Sequence, residues 1–255
     1  MRSYYLGIDI GSVGSKAVII NGNDVIASTV IPSGTNYAST AAMVRAEVLK
    51  QAGLKENDIT ASASTGTGGR NAGTVSYHGV ILCDARGVNF IFPAARSIID
   101  IGGQGSQLIS IDEAGQVINF GISEICATGS ARLLQIVARI LGISIKEIGP
   151  LSMKATRPSN FSTSCSVFLE TEVITRIAQG DKPGDILAGI HRSIAEKISG
   201  MSRGVPLQPE IAVIGGGALD SGLVQAIEER LATKVLVPEN PRIIAALGAA
   251  LIARG

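Results

Sequence analysis

The segment DIGSVGS at residues 9–15 is the most informative part of this 255-residue sequence. It joins an apolar run at residues 6–10 to a second one at residues 16–20, which is the pattern of a turn between two strands. Asn-Gly at residues 21–22 is a strong hairpin signal, and residues 25–31 continue as a third strand. The start of the chain is therefore predicted to form three strands joined by two tight turns.

The same pattern returns 91 residues further along the chain. The segment DIGGQGS at residues 100–106 matches residues 9–15 at five of seven positions, including the aspartate and two glycines. Strand-like runs surround it at residues 97–101, 107–111 and 116–120. A repeat of both sequence and predicted structure indicates two similar half-molecules.

Helical patterns follow each set of strands, and strands and helices alternate later in the chain. The predicted helices cover residues 41–52, 131–141, 167–178, 185–202, 221–232 and 242–254. Further strands are predicted at residues 210–214 and 234–237. This alternation predicts an α/β fold. No low-complexity linker separates the halves, so we expect them to share a cleft.

The glycine turns predict a clamp for phosphate groups. Small residues allow backbone N–H groups to approach phosphate oxygens, and a carboxylate at each strand end, Asp9 or Asp100, can hold water molecules on Mg²⁺. Lys16 adds a positive charge. A third glycine loop, between a predicted strand and helix, can pack against a sugar or base. The candidate contacts are Gly11, Ser12, Gly14, Ser15, Lys16, Gly102 and Gly103, with Gly215, Gly216 and Gly217 in the third loop.

The glycine segments also have simpler structural explanations. Each turn, taken alone, is also explained as a tight hairpin that needs a positive φ angle. The P-loop pattern is absent from the sequence, and residues 66–69 lack the spacing of a dinucleotide-binding fingerprint. The repeated aspartate-bearing turns together with the triple glycine favour the phosphate interpretation.

These three segments resemble the motifs of the actin, heat-shock ATPase and sugar-kinase superfamily. Residues 9–12 resemble its first phosphate motif, residues 100–103 its second, and residues 214–217 its adenosine motif. The resemblance implies two ribonuclease-H-like (actin-like ATPase) domains with ATP or ADP and Mg²⁺ in the cleft between them. It makes Asp9, Asp100 and Gln104 the candidate catalytic residues. The domains are predicted at residues 1–96 plus 241–255 and at residues 97–240.

The chain has three cysteines. This number is small and odd, which does not fit a framework of paired disulfides. Cys126 and Cys165 each come just before a predicted helix, where the helix N-terminus favours a thiolate. Two such thiolates suit an iron–sulfur cluster but form half of a ligand set, so a symmetric dimer would be needed to complete it. Both side chains are equally explained as small buried apolar groups.

A narrower resemblance covers nearly the whole chain. The segments that carry it are residues 83–91 (CDARGVNFI), 98–104, 126–129, 165–174, 188–191 and 246–250. They resemble the activator family of 2-hydroxyacyl-CoA dehydratases, which includes ATPase subunits of benzoyl-CoA reductases and reductases of double-cubane-cluster proteins. The resemblance implies a homodimer with one [4Fe–4S] cluster at its interface, held by Cys126 and Cys165. Cys83 matches a cysteine that is not a ligand.

The resemblance implies an ATP-hydrolysing, low-potential one-electron donor. A ferredoxin or flavodoxin would reduce it, and it would reduce a partner iron–sulfur dehydratase or reductase under anaerobic conditions. Gly129 and Ser130, which follow Cys126 closely, are candidate sensors of the nucleotide phosphates. The sequence departs from the usual family pattern at Gly105, where an aspartate is usual, and at Asp84, where a histidine is usual.

Two other functions stay open at this stage. A sugar-kinase-type phosphotransferase would use an aspartate in the cleft to deprotonate a hydroxyl group. A regulatory ATP-binding module without turnover is favoured by Gly105. His191, in a predicted helix, is expected to be a surface or packing residue.

Charge and hydropathy exclude some classes of protein. Lys and Arg number 22 and Asp and Glu number 21, so no basic excess indicates a nucleic-acid partner. The apolar stretch at residues 243–253 is shorter than the ~20 residues that a membrane helix needs. The N-terminal residues lead into a strand-like run and show no secretory signal. We therefore expect a cytoplasmic protein.

Overall fold

The computed structural model describes residues 3–123, 131–161 and 166–255, and these residues form two β-sheets with helices packed on them. The first sheet has the strand order β3-β2-β1-β4-β5, and the second has the order β8-β7-β6-β9. The strands of the first sheet are β1 (Tyr4–Ile10), β2 (Gly14–Asn21), β3 (Asp24–Pro32), β4 (Ile59–Thr65) and β5 (Ser76–Tyr77). Those of the second are β6 (Ser97–Ile101), β7 (Ser106–Ile111), β8 (Val117–Ile122) and β9 (Ile211–Ile214).

The two sheets repeat one arrangement of strands. In the first, β1 pairs antiparallel with β2 and parallel with β4. In the second, β6 pairs antiparallel with β7 and parallel with β9. Both central strands are buried along most of their length, which explains their nearly continuous apolar sequences. The internal repeat that the sequence predicts is therefore present in the structure.

The described residues also form eight α-helices. They are α1 (Tyr37–Ala52), α2 (Val80–Ile91), α3 (Ala131–Leu141), α4 (Ile148–Ser152), α5 (Ser166–Ala178), α6 (Pro183–Met201), α7 (Ser221–Leu231) and α8 (Ile244–Arg254). Helix α1 begins where Asn36 accepts a hydrogen bond from Ser39 N–H, and it ends at Gly53 in the left-handed conformation. It packs on one face of the first sheet, and α8 packs on the other.

Helices α2 and α8 connect the two sheets. Helix α8 packs on the first sheet, whereas α2 packs on the second and also against α8. Glycines permit a very close crossing of the two helices. A Cβ atom on Gly248 would collide with the carbonyl oxygen of Cys83, and one on Gly87 would collide with that of Ile244. The contact between the helices is therefore made by backbone against backbone.

The second sheet carries the larger core. Its strands contribute Ile99, Ile101 and Leu108 to an apolar cluster with side chains from α3, α5, α6 and α7. The first sheet has separate clusters under α1 and α8. Among the described residues, no helix is both long enough and apolar enough to cross a lipid bilayer.

Most predicted elements are present, with boundaries shifted by a few residues. The predicted strand at residues 234–237 is wrong, because this segment forms a single bridge between Leu236 and Ala212. Strand β4 and helix α2 were not predicted. The division into domains at residues 1–96 plus 241–255 and 97–240 stays a prediction.

The crossing of α2 and α8 gives a test of the fold. We expect Gly248→Ala to lower the free energy of unfolding by about 1–3 kcal/mol, because the new methyl group forces the two backbones apart. Gly200→Ala in α6 is the matched control, since its Cβ would find the Arg203 side chain 3.9 Å away. The control should be neutral or up to about 1 kcal/mol more stable. Urea unfolding measures both, and equal stabilities would contradict the close crossing.

Candidate functional site

Asp9 and Lys16 form a buried ion pair where the first hairpin turns. The two residues lie opposite each other on β1 and β2, and Nζ of Lys16 lies 2.8 Å from Oδ2 of Asp9. Burial by itself lowers the pKa of Lys16, but the adjacent Asp9 carboxylate outweighs this effect and the pKa is raised. Lys16 is therefore a charged ammonium group near the start of β2, opposite the end of β1.

Asp100 occupies the equivalent position in the second sheet, but its neighbour is neutral. Gln107 stands opposite Asp100 as Lys16 stands opposite Asp9, and its Nε2 donates to Oδ2 of Asp100 at 3.4 Å. Burial raises the pKa of Asp100 to about 7; Lys16 opposes this shift and Asp9 adds to it. The two aspartates thus share one electrostatic environment although 91 residues separate them in sequence.

The first two glycine turns meet each other. A Cβ atom on Gly103 would lie 2.7 Å from Cγ2 of Val13 and 3.4 Å from Oγ of Ser12. The second turn is closed by Gly102 N–H, which donates to the carbonyl oxygen of Gly105 at 2.9 Å. The predicted residue Gln104 lies at the exposed tip of this turn. Backbone N–H groups from both halves are therefore brought to one place.

Ser33 braces the first turn, and the sequence did not single it out. Its hydroxyl donates to the carbonyl oxygen of Gly11 at 2.6 Å and lies 2.8 Å from the hydroxyl of Ser15. The turn that contains Ser12 and Gly14 is thereby held from the end of β3. A serine just after a predicted strand carries no recognisable signal by itself.

Two glycine loops press against the two aspartates. Gly66 and Gly215 both have positive φ, +87° and +85°. A Cβ atom on Gly66 would collide with Oδ1 of Asp9, and one on Gly215 would collide with Oδ1 of Asp100. Each loop follows the strand that runs parallel to the aspartate-bearing strand. A side chain at either glycine is excluded both by its conformation and by its neighbour.

The Gly66 loop is therefore the structural twin of the predicted loop at Gly215, Gly216 and Gly217. The sequence does not reveal this likeness readily, because residues 66–69 follow a strand of small residues that lacks an apolar pattern. The available signal was a glycine loop directly after a strand in both halves.

The start of α3 joins the second and third glycine segments. Ala131 N–H donates to the carbonyl oxygen of Gly102 at 2.9 Å, and a Cβ atom on Gly216 would lie 3.5 Å from the Ala131 Cβ. The predicted residues Cys126, Gly129, Ser130 and Cys165 lie outside the described residues. Residues 124–130 lead directly into α3, and residues 162–165 lead directly into α5. Helices α3 and α5 contact each other and share one apolar core.

Asp84, on helix α2, is a third buried carboxylate near Asp9 and Asp100. Its side chain is 2% exposed, and its Oδ2 has no hydrogen-bond partner among the described residues. Burial raises its pKa well above the usual value; Asp100 and Asp9 add to the increase and Lys16 opposes it. The sequence pointed to Asp84 as a departure from the usual pattern but not as part of the site.

Two other residues that carry reactive groups are engaged in packing. Burial raises the pKa of the Cys83 thiol to about 12, so this thiol is unreactive, as expected of a structural cysteine. His191 is 1% exposed, and its Nε2 lies 3.1 Å from Oδ2 of Asp220, the residue that caps α7. His191 is thus a packing residue that joins α6 to α7.

The described residues contain no group of three or more His, Cys, Asp or Glu side chains arranged to hold a metal ion by themselves. A divalent cation near Asp9 and Asp100 would therefore need ligands from phosphate groups and water. This requirement fits Mg²⁺, which keeps several water ligands and binds through few carboxylates. The site can hold such a cation together with a nucleotide.

Comparison with known proteins gives a consistent result along the chain. The model of the BadF/BadG/BcrA/BcrD ATPase family matches residues 6–253. The sequence is 38% identical over 252 residues to a 2-hydroxyisocaproyl-CoA dehydratase activator from Clostridioides difficile, covering 98% of this chain and 94% of that protein. It is 34% identical over 256 residues to the (R)-2-hydroxyglutaryl-CoA dehydratase activating ATPase of Acidaminococcus fermentans, covering 99% and 98%. The predicted resemblance to these activators is confirmed.

Solved structures agree with the fold. The 2-hydroxyisocaproyl-CoA dehydratase activator from Clostridium difficile with bound ADPNP superposes with a TM-score of 0.93, at 38% identity, covering 98% of this chain and 94% of that one. A ROK hexokinase from Thermus thermophilus superposes with a TM-score of 0.54 at 12% identity, covering 98% of both chains. The hexokinase shares the fold alone. The predicted fold of two actin-like ATPase domains is confirmed.

The shared environment of the aspartates predicts an unusual pH dependence. The groups that face Asp100 are Asp9, Asp84 and Lys16. With a pKa raised from 3.8 to about 7, folded Asp100 keeps a proton that the unfolded chain has released, so its contribution to stability falls as pH rises through this window. Without nucleotide or divalent cations, Asp100→Asn should therefore gain stability over the wild type as pH rises. Urea unfolding through the window measures this, and a constant difference would contradict it.

Proposed function

Because this chain belongs to the BadF/BadG/BcrA/BcrD ATPase family, we propose that it is an ATP-hydrolysing one-electron donor that activates a partner iron–sulfur enzyme. The activator relatives support a dehydratase or reductase as that partner. Its own electron would come from a ferredoxin or flavodoxin, and it would work in the cytoplasm of an anaerobic cell. No nucleic acid or membrane takes part.

The proposed nucleotide site is the place where the two glycine turns meet. Backbone N–H groups around Ser12 and Gly103 would bind phosphate oxygens, because glycine and serine make up most of both turns. Lys16 supplies a fixed positive charge, and the oxygens of Asp9 and Asp100 accept hydrogen bonds from water on Mg²⁺. The loop at Gly215, Gly216 and Gly217 would hold the adenosine part.

One observation supports coupling between this site and the cysteines more than any other. Ala131, the first residue of α3, is hydrogen-bonded to Gly102 in the second glycine turn, and its Cβ would lie 3.5 Å from a Cβ placed on Gly216 in the third loop. Cys126 precedes Ala131 by five residues, and Gly129 and Ser130 lie between them. A change in the glycine turns as ATP is bound or hydrolysed would therefore displace the start of α3 directly.

Cys126 and Cys165 are proposed to hold half of a [4Fe–4S] cluster in each chain. In the sequence, both precede helices, α3 and α5, whose buried faces contribute to one apolar core. When bound, the cluster would supply a one-electron carrier. The N-termini of the helices would favour its negative charge. A symmetric dimer would complete the four thiolates.

Exposed apolar side chains on α5 and β8, the elements next to the cysteine segments in sequence, support a protein interface. Helix α5 leaves Phe168 and Ile174 more than half exposed. Strand β8, which leads into the segment with Cys126, exposes Ile118, Phe120 and Ile122, alternate residues of an edge strand. Exposed apolar groups gathered in this way are typical of surfaces that another protein covers. We assign them to the homodimer and to its contact with the partner enzyme.

A sugar kinase and a regulatory module without turnover are the remaining candidates. The similarity to the hexokinase supports a common fold but is not evidence for a common activity. Phosphoryl transfer to a sugar by iron-free protein would favour the kinase. Absence of Mg-ATP turnover would favour the regulatory module.

Iron analysis tests the proposal most directly. Protein purified without oxygen should contain about two iron atoms and two acid-labile sulfide ions per chain, half of a four-iron cluster. Cys126→Ser and Cys165→Ser should each lose most of this iron and keep nucleotide binding, because the glycine turns are untouched. Cys83→Ala is the matched control and should keep its iron, since Cys83 is buried under α8. A metal-free dimer with full ATPase activity would overturn the proposed electron transfer.

A second test concerns the charge of Lys16. Lys16→Met should weaken Mg-ADP binding and lower ATP hydrolysis by tenfold or more, since a hydrogen bond from a charged group is worth about 1.5–3 kcal/mol. Lys234→Met is the control, because Lys234 is exposed and pairs with Glu228 on α7. Calorimetric binding and phosphate release are the measurements. If both variants hydrolyse ATP at the wild-type rate, Lys16 does not serve the phosphates.

A further inference from the structure

Asp84 is a buried carboxylate that neither the fold nor the proposed electron transfer requires. It lies on α2, the helix that packs on the second sheet and against α8. Its side chain is 2% exposed, and its Oδ2 has no hydrogen-bond partner in the described part of the chain. A buried carboxylate oxygen without a partner costs stability, so a compensating interaction is expected from something the folded chain binds.

The charges around Asp84 come from three other elements. Asp9 faces it from β1, Lys16 from β2 and Asp100 from β6. The two aspartates repel it, and Lys16 is already paired with Asp9 at 2.8 Å. Asp84 is therefore a buried carboxylate on a helix, close enough to Asp9 and Asp100 to feel their charge, while those two lie at strand ends.

The crossing of α2 and α8 shows what the fold requires at this position. Gly87 sits on the backbone of Ile244, and Gly248 sits on the backbone of Cys83. In α2 the contacted residue, Cys83, precedes Gly87 by four positions, and in α8 Ile244 precedes Gly248 by four positions. If the two helices are aligned on these glycines, Asp84 of α2 is equivalent to Ala245 of α8. Ala245 is buried, with 7% of its surface exposed. The same crossing is thus built with alanine in the twin helix, and packing alone does not require a carboxylate.

We propose that Asp84 is a positioning residue of the nucleotide site, whose Oδ2 accepts a hydrogen bond from a water molecule on the Mg²⁺ of a bound Mg-nucleotide. This inference rests on the proposed nucleotide site and adds a third carboxylate to Asp9 and Asp100. Contact with the cation through a bound water molecule, and not directly, agrees with the lack, among the described residues, of a side-chain cluster able to bind a metal by itself. The negative charge of Asp84 serves the cation and not the fold.

Nucleotide affinity with and without the cation tests the role. ADP binding is measured by calorimetry on the anaerobically purified dimer, first with excess EDTA and then with Mg²⁺. We expect Asp84→Ala and Asp84→Asn to bind ADP in EDTA within twofold of the wild type. The factor by which Mg²⁺ raises ADP affinity should be about tenfold smaller in these variants than in the wild type, and smallest in the alanine variant. Asp24→Asn, at the opposite, exposed end of the first sheet, is the control and should match the wild type.

Thermal unfolding without ligands separates this role from a structural one. Because Asp84 is buried beside like charges and its twin is Ala245, both variants should unfold at a higher temperature than the wild type. A lower unfolding temperature together with weaker ADP binding in EDTA would make Asp84 a structural residue and overturn the inference. An unchanged gain from Mg²⁺ in the alanine variant would also overturn it.

The result is distinguishable from the test of the electron-donor function. Iron content should be the same in the wild type and in both Asp84 variants, because neither cysteine segment is altered. If the wild type lacks iron but the Mg²⁺ gain depends on Asp84, the electron-donor function fails and this inference stands. If the wild type does not bind ADP, both the nucleotide site and the inference fail.

Discussion

Three carboxylates, Asp9, Asp84 and Asp100, are buried near Lys16, and the charge of Asp9 raises the proton affinity of both Asp84 and Asp100 while Lys16 opposes this effect. Transferring like charges from water into the protein interior is unfavourable, so other interactions must offset the free energy that this burial costs. Here the carboxylates come from both sheets and from a connecting helix. The charge cluster therefore depends on the two halves being held together, and any ligand that neutralises it strengthens their association.

Glycine makes this crowding sterically possible. Gly66 and Gly215 lie against the carboxylates of Asp9 and Asp100, where a side chain would collide. Gly87 and Gly248 allow α2 and α8 to cross with their backbones in contact. The high glycine content of the sequence, 31 residues, thus serves two purposes. Some glycines let loops lie against the buried aspartates, and others bring the helices that join the two sheets close together.

Sequence patterns were sufficient for the repeated hairpins and the aspartate at each strand end, because both depend on residues that are near each other in the chain. Strand β4, with the sequence ITASAST, is not predicted because its buried residues are small and do not form a recognisable apolar pattern. With β4 missed, the loop at Gly66 had no visible context. Asp84 was missed because α2 has no side-chain cap and its packing partner α8 lies at the other end of the chain.

The sequence by itself determined the local geometry: two sets of strands and turns, a charged lysine in one and a neutral glutamine in the other, and a cysteine before each of two helices. The meeting of Gly103 with Val13 and Ser12, the pairing of Gly66 with Asp9, and the presence of Asp84 beside both aspartates were decided by tertiary structure alone. These contacts join segments that are far apart in the chain. Such segments are brought together by the packing of helices on both sheets, which no single stretch of sequence encodes.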